Sequence, residues 1–531
     1  MEAETNVVEL EREKLDRLLA NARASFSAED FAEFERLVNA YQHLLKLIGT
    51  KSVTLERLRR IIFGPTSEKT EQVFKGMSEP DTAEKPKEQH PGHGRNGVNA
   101  YPNAKKVKVP HPSLQSKDCC PDCGCGKVYP YTPGSLVRIT GQAPLEATAY
   151  ELAKFRCNAC GKTFQAPLPA GVEYTKYDAS AGSMIGLLKY GSGVPFNRLA
   201  NLQADIGVPL PAATQWEIVK EAAERLKPAH QELIREAAQG KVLHNDDTNM
   251  KITELAKENE VSETGSQRKG CFTTGIVSLH ENHKIALFFT GTKHAGENLE
   301  DLLKQRAAEL KSPIQMCDAL SRNSSEDFKT ILANCMSHAR RKFVEAADNF
   351  PTECKHLLDI LQDVYKNDAA TRQQKMPDQE RLLYHQANSK ELMQDLKQWA
   401  ESLLAEKKVE PNSGLGQALA YLLKHWNKLT LFLKVPGAPL DNNICERALK
   451  KAILHRKNAL FYKTTAGALV GDTFMSLIHT TELVGGNPFD YLTALLRNSQ
   501  EVSKMPQAWM PWNYKVVLAA LDQQPNAHPP P

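Results

Sequence analysis

A multidomain α/β protein is the fold class that this sequence predicts, and three observations predict it. Between residues 241 and 318, strand-like runs and one amphipathic helix alternate, with Asp246 inside the first strand and Asp318 at the end of the last. Two C-x-x-C pairs, Cys120 with Cys123 and Cys157 with Cys160, precede that region. Ahead of both lies a helical stripe of apolar residues. At 531 residues, 41% hydrophobic and 24% charged, the chain has enough apolar surface for several cores.

Residues 1–70 read as helical. Phe34, Leu37, Tyr41, Leu44, Ile48, Leu55, Leu58 and Ile62 recur in steps of three and four; Lys51 breaks the seam, and Gly49 lies beside it. A leucine-zipper-like coiled-coil dimer satisfies this pattern, and so does an antiparallel hairpin within one subunit. Residues 71–110 are rich in Pro, Gly, Lys and Glu without periodicity, as a linker is. Its distal part carries Arg95, Lys105, Lys106 and Lys108 without an acid, a solvated tether or a segment that orders on DNA.

Residues 111–168 read as a zinc ribbon. In a reducing compartment, two C-x-x-C knuckles at this separation favour tetrahedral Zn²⁺ over disulfides, and four thiolates make the site structural. Cys119 and Cys125 crowd the first knuckle, so another choice of ligands stays open. Cys271, Cys317, Cys335, Cys354 and Cys445 fall in apolar patterns and read as buried thiols. Residues 169–235 have the shape of helix, glycine turn and helix, with Gly207 at the turn and Pro211 opening the second helix, like a helix-turn-helix.

Residues 236–470 hold the chemistry. Strands are expected over Lys241 to Thr253, GCFTTGIVSLH, HKIALFFTG and PIQMCD, with a helix near His294 to Leu310. If the first and fourth strands lie side by side, Asp246 and Asp318 meet at one place. The segment PLDNNICERALKKAILHRKNALFY supplies a helix capped by Asp441 or Asn442. Cys445, Ala448, Leu449 and Ala452 are its buried stripe, and Glu446 sits on its flank. This is the arrangement of a ribonuclease H-like core. Three hard carboxylates suit Mg²⁺ or Mn²⁺, and such ions serve phosphodiester displacement. Asp246 and Asp247 are adjacent, and the strand period lets only one of them face the site.

A helical insertion is expected over about 345–433, because Glu446 follows Asp318 by 128 residues (446 − 318). His338, Arg340 and Arg341 precede it on a helix, where they are candidates for contact with phosphate; a structural histidine is the even alternative for His338. Arg447, Lys450, Lys451, Arg456, Lys457 and Lys463 follow Glu446 with no acid among them, a surface for DNA phosphates or a solvated helix face. Phe461 and Tyr462 end the run, either as stacking aromatics or as a buried pair. A C-terminal helical region and tail fill 471–531.

Five segments, LRRIIFGPTSEK (Leu58 to Lys69), HNDDT (His244 to Thr248), CMSHARRKF (Cys335 to Phe343), LDNNICER (Leu440 to Arg447) and RKNALFY (Arg456 to Tyr462), closely resemble the insertion-sequence-66 family of DDE transposases. The resemblance runs in order through nearly the whole chain. It implies that Asp246, Asp318 and Glu446 are the catalytic, Mg²⁺-binding acids, with Asp247 a departure from the family's Asp-Glu-Thr motif. Ala319 and Leu320 depart from the glycine and aromatic that usually follow the second acid. It further implies the zipper, a functional His338, DNA as substrate (element terminal repeats and target), a homo-oligomer and small accessory proteins. The expected activity is metal-dependent cleavage and strand transfer of DNA. The alternative is a zinc-ribbon DNA-binding regulator or decayed transposase without catalysis.

The net charge of +4 is mild for a DNA-binding protein, so clustering of charge carries that expectation. The start MEAETNVVELERE is too acidic for a secretory leader, and no run approaches the roughly 20 apolar residues of a membrane span. A cytoplasmic, nucleoid-associated bacterial protein without membrane contact is expected.

Overall fold

The computed structural model of the chain describes Phe31, Phe34, Thr70–Val73 and residues 112–522, apart from residues 124, 131–142, 157, 159–162, 170, 173, 262–269 and 325–327. Apart from Phe31 and Phe34, which are helical, the expected coiled coil lies outside the described residues, as does nearly all of the expected linker.

The first strands, β1 (Lys154–Arg156) and β2 (Thr163–Gln165), pair antiparallel. Helices α1 (Ala179–Gly186), α2 (Phe196–Asp205) and the 27-residue α3 (Ala212–Ala238) follow. Between α2 and α3, Gly207 takes φ 80°, the left-handed step that side chains resist, and Pro211 opens α3. Buried Gln215 locks this turn, its Nε2 donating to the carbonyls of Phe196 at 3.1 Å and Leu210 at 2.9 Å. The helix, turn and helix expected here are present. They do not stand apart, however: α3 runs past the boundary expected at 235 and buries Val219, Leu226 and Leu233 in the same core as the central sheet.

That sheet is mixed and five-stranded. Its strands β3 (Val242–Met250), β4 (Cys271–His280), β5 (His283–Gly291), β6 (Ile314–Cys317) and β7 (Ile331–Asn334) lie in the order β5-β4-β3-β6-β7. The pairs β3–β4 and β4–β5 are antiparallel, and β3–β6 and β6–β7 are parallel. Strand alternation sends Val242 into one core and its neighbour Leu243 into the other, so both faces of the sheet are covered. Helix α4 (Thr253–Val261) follows β3, and α5 (Ala295–Leu303) follows β5. The helix expected to reach Leu310 stops at Leu303. Past its end, Arg306 donates to the carbonyls of Ala238 and Gly240, both at 2.8 Å, which ties the chain to the approach to β3 instead of prolonging the helix.

Helix α6 (Met336–Ala346) leads into a helical layer of α7 (Pro351–Gln373), α8 (Asp378–Asn388), α9 (Lys390–Ala405) and α10 (Gly414–Lys424). Its core, including Leu357, Leu361, Val364, Leu415, Leu419 and Leu422, is continuous with Ile314 and Met316 of β6. The layer begins and ends at one point. Met336 N donates to the Leu440 carbonyl, and Asn442 N donates to Cys335 Sγ, both at 3.2 Å. The chain therefore returns to the sheet beside the place where it left.

Helix α11 (Asn443–Ala459) then crosses β3 and β4, burying Cys445, Ala448, Leu449 and Ala452. Gly275 of β4 permits the approach: a Cβ there would stand 2.9 Å from Leu449, inside van der Waals contact. The last helices include α12 (Thr465–Leu483) and α13 (Pro488–Arg497). α12 spans the boundary expected at 470 and closes the sheet edge at β5. Backbone N–H groups of Ala286, Phe288 and Thr290 donate to Thr480 Oγ1, Ser476 Oγ and Asp472 Oδ2 at 3.0, 3.0 and 2.7 Å. Four residues of helix advance about 6 Å and two of strand about 6.6 Å, so polar side chains at every fourth helix position match outward N–H groups at every second strand position. An edge that would otherwise be open to another strand is thereby satisfied.

Candidate active site

The parallel register sets His244 of β3 opposite Met316 of β6. Two residues further along each strand stand Asp246 and Asp318, at the level where β6 gives way to a loop. The loop turns back on them. Asn323, fully buried, donates its Nδ2 to Asp318 Oδ1 at 2.7 Å and, more weakly, to Asp246 Oδ1 at 3.4 Å. Its own carbonyl accepts from Asn245 Nδ2 at 2.8 Å and Gln315 Nε2 at 2.7 Å, which anchors the loop to both strands. Leu320 N and Asn334 Nδ2 donate to Asp318, one to the carboxylate and one to the carbonyl.

Glu446 comes in from the first turn of α11. The helix start is fixed by Asp441, which accepts from Asn443 N at 3.1 Å, and by Asn442, whose side chain reaches β3 on both sides. Asn442 Nδ2 donates to the Asn245 carbonyl at 3.1 Å, and its Oδ1 lies 3.0 Å from His244 Nδ1. Burial, and then the charges of Asp318, Asp247 and Glu446, push the Asp246 carboxyl up to about 7 against the N–H of Asp247. Three acids thus act on Asp246 in a partly dry place. Glu446 Oε1 is a buried oxygen with no hydrogen-bond partner, and the His338 ring nitrogen Nδ1 stands 3.8 Å from it, likewise unpartnered.

Asp247 faces elsewhere. Its side chain, 1% exposed, takes His294 Nδ1 at 2.9 Å and Arg322 at 3.4 Å. Among the described residues, the trio of His, Cys, Asp or Glu ligand atoms lying within 4.8 Å of one another is Cys335, His338 and Glu446. Asp246, Asp318 and Glu446 are therefore spread more widely than the donors of a one-ion cage.

The basic residues expected to meet DNA divide in two. Arg447, Lys450 and Lys457 are exposed on α11. Lys451 instead pairs with Glu482 at 2.9 Å, and Arg456 donates to Thr248 Oγ1 at 3.1 Å and to the Asn249 carbonyl, so both tie α11 to its neighbours. On α6, Arg340 donates to Thr70 Oγ1 at 3.3 Å, and Arg341 is half-buried. Of the aromatic pair, Tyr462 is a core residue, stacked on His455 with centroids 4.6 Å apart, while Phe461 is partly exposed. Sequence reading missed Asn323 and the anchoring role of Asn442; the second stood in a quoted motif, and the first had no local signal.

In the first cysteine knuckle, Cys120 N donates to the Gly126 carbonyl at 2.8 Å and Cys119 bridges to Lys127. The N–H groups of Gly126 and Cys125 hold the Cys123 thiol below its usual value, which favours the thiolate that a metal needs. Cys157 and Cys160 lie outside the described residues, in the connection between β1 and β2. Cys317, Cys335, Cys354 and Cys445 are buried, and Cys271 is partly so. Among the described residues no helix is long and apolar enough to cross a membrane.

A five-stranded mixed sheet with acids gathered at its centre and a helical layer between them is consistent with the catalytic domain of a transposase. The chain belongs to the IS66 transposase family: the family model described as Transposase IS66 family matches residues 175–469. It is similar to three proteins of Sinorhizobium fredii (strain NBRC 101917 / NGR234). Uncharacterized protein y4hP is 24% identical over 519 residues, 88% of this chain and 89% of that one. Uncharacterized protein y4jD is 25% identical over 385 residues, 68% of this chain and 71% of that one. Uncharacterized protein y4qI is 29% identical over 200 residues, 35% and 34% of the two chains. Membership in the family implies DNA as a partner.

Proposed function

We propose that the protein is a DDE transposase with a ribonuclease H-like catalytic core, in which Asp246, Asp318 and Glu446 hold Mg²⁺ or Mn²⁺ and cut and join DNA ends. The observation that carries this reading is the crowding of Asp246 by Asp318, Asp247 and Glu446 where burial already disfavours its charge. A divalent cation relieves such crowding, and the partnerless, buried Glu446 Oε1 is a further hard donor suited to one. When bound there, two such ions supply an activated water or 3′-hydroxyl and neutralise the leaving oxygen. The chain's own part is positioning. Strands β3 and β6 keep two acids level, Asn323 fixes their carboxylates, and Asn442 sets the start of the helix that brings the third. Arg447, Lys450 and Lys457 on one side, with His338, Arg340 and Arg341 on the other, hold DNA phosphates. Lys451 and Arg456 serve the scaffold. A structural zinc on Cys120, Cys123, Cys157 and Cys160, the helix pair α2 and α3, and an N-terminal coiled coil give end recognition and a homo-oligomer, with accessory proteins as partners.

A plasmid transposition assay with the native element ends and neighbouring genes tests this. Wild type should move the element, and Glu446→Gln should bind the ends but lose movement by about three orders of magnitude or more, as removal of a group essential to phosphoryl chemistry does. Equal mobility in both would remove Glu446 from the site. End binding by both with movement by neither would favour a DNA-binding regulator or decayed copy.

A further inference from the structure

Cys335 and His338 stand beside Glu446 and make with it a donor set different from that of the three acids. Their ligand atoms lie within 4.8 Å of one another, and His338 Nδ1 and Glu446 Oε1 are 3.8 Å apart. Both of these atoms are buried without a hydrogen-bond partner, although the two side chains are 26% and 27% exposed, so an ion has a way in. In a tetrahedral site with nitrogen and oxygen about 2.0–2.1 Å from the metal, donors stand about 3.4 Å apart. The observed spacing closes to that with a small turn of either side chain. The sulfur is in place as the third donor, although burial holds its proton until a metal displaces it. Cys335 is the residue before α6, and its Sγ accepts the N–H of Asn442 at 3.2 Å, a contact that fixes where the sulfur stands.

Sulfur, imidazole and carboxylate together select a first-row transition metal over Mg²⁺, which takes oxygen ligands. We propose that Cys335, His338 and Glu446 bind an ion of the Zn²⁺ class, with a fourth position open to solvent, and that this ion and the Mg²⁺ site compete for Glu446. Binding replaces the thiol proton of Cys335, which passes to solvent. The inhibitory consequence rests on the catalytic reading of Glu446 above, whereas the binding itself does not. Occupation would hold the enzyme inactive until the soft ion is removed.

Co²⁺ titration of the purified full-length protein, followed by absorption, tests the site. Wild type should take up one Co²⁺ beyond that bound by Cys335→Ser and show additional sulfur-to-cobalt absorption in the difference spectrum of the two. His338→Gln and Glu446→Gln should each weaken binding of that ion by about tenfold to a hundredfold. Identical stoichiometry and spectra in wild type and Cys335→Ser would overturn the proposal. If Cys335→Ser does not fold, the partly exposed His338 decides: unchanged Co²⁺ affinity in His338→Gln overturns it equally. Because no DNA is present, these results are separate from the outcome of the transposition assay.

Discussion

At the scale of the residue, Asn323 joins the loop, the two acids and the two strands. Its amide donates toward two carboxylates at once, and its backbone carbonyl gathers the side chains of Asn245 and Gln315 from β3 and β6. Replacing it by alanine removes the amide's bonds to both carboxylates and leaves the Leu320 N–H on Asp318 and the backbone carbonyl of residue 323 in place. Asn323→Ala should lower Mg²⁺-dependent strand transfer about tenfold to a hundredfold, raise the Mg²⁺ concentration needed for half-maximal activity, and cost about 1–3 kcal/mol of stability. Magnesium titrations of strand transfer beside urea unfolding check this; an unchanged half-saturation would deny Asn323 a positioning role. Asp246 and Asp247 show the same scale from another side. The pleat brings one to the Asn323 amide that also holds Asp318 and the other to His294 and Arg322, a choice that the adjacent letters left open.

At the scale of the element, α12 lies along β5 as a polar ladder with Asp472 at one end. Asp472 accepts from both the N–H and the hydroxyl of Thr290, at 2.7 and 2.6 Å. Burial outweighs these bonds and raises its carboxyl from 3.8 to about 7. A folded pKa above the unfolded value means that the folded state holds the proton more tightly. The stability this contributes is complete below about 3.8 and is lost as pH rises through about 7. Asp472→Asn imitates the neutral acid, because its amide can donate to the Thr290 hydroxyl and accept from the Thr290 N–H. Between pH 5 and 8, wild type should therefore lose stability relative to Asp472→Asn, by on the order of 2–4 kcal/mol at the upper end. Melting curves at the two pH values measure it, and parallel shifts of both proteins would show that Asp472 does not titrate in this window. The spacing of Asp472, Ser476 and Thr480 is visible in the sequence, yet it reads as three polar interruptions of an apolar helix until β5 is beside it.

At the scale of the whole molecule, one apolar core joins α3, the sheet and α12, and a second joins β6, β7 and the helical layer. The expected regions 169–235, 236–470 and 471–531 are therefore physically interdependent. The N-terminal segment also reaches this body: Val73 is buried in the second core, and Thr70 accepts from Arg340. Removing residues 1–69 spares both contacts, so the truncated chain should fold with its melting transition retained. On the coiled-coil reading, light scattering should report a multimer for the full chain and a monomer for the truncated one. Particle masses differing only by the mass of the deleted segments would favour the hairpin within one subunit.

Much of this was legible in the letters because it is local. Runs of strand length mark β3, β4 and β5, a stripe of period 3.6 marks α11, and Gly207 before Pro211 marks the turn between α2 and α3. The family likewise followed from short motifs such as LDNNICER and HNDDT, and with it the three candidate acids. Other features depend on groups far apart in sequence: the direction of Asp247, the clip at Asn323, the burial of Tyr462, the internal partners of Lys451 and Arg456, and the nearness of Cys335 to Glu446. A side chain's periodicity tells which face it occupies, but its partner is set by the strand order and by the return of the chain at Leu440, and those belong to the tertiary structure alone.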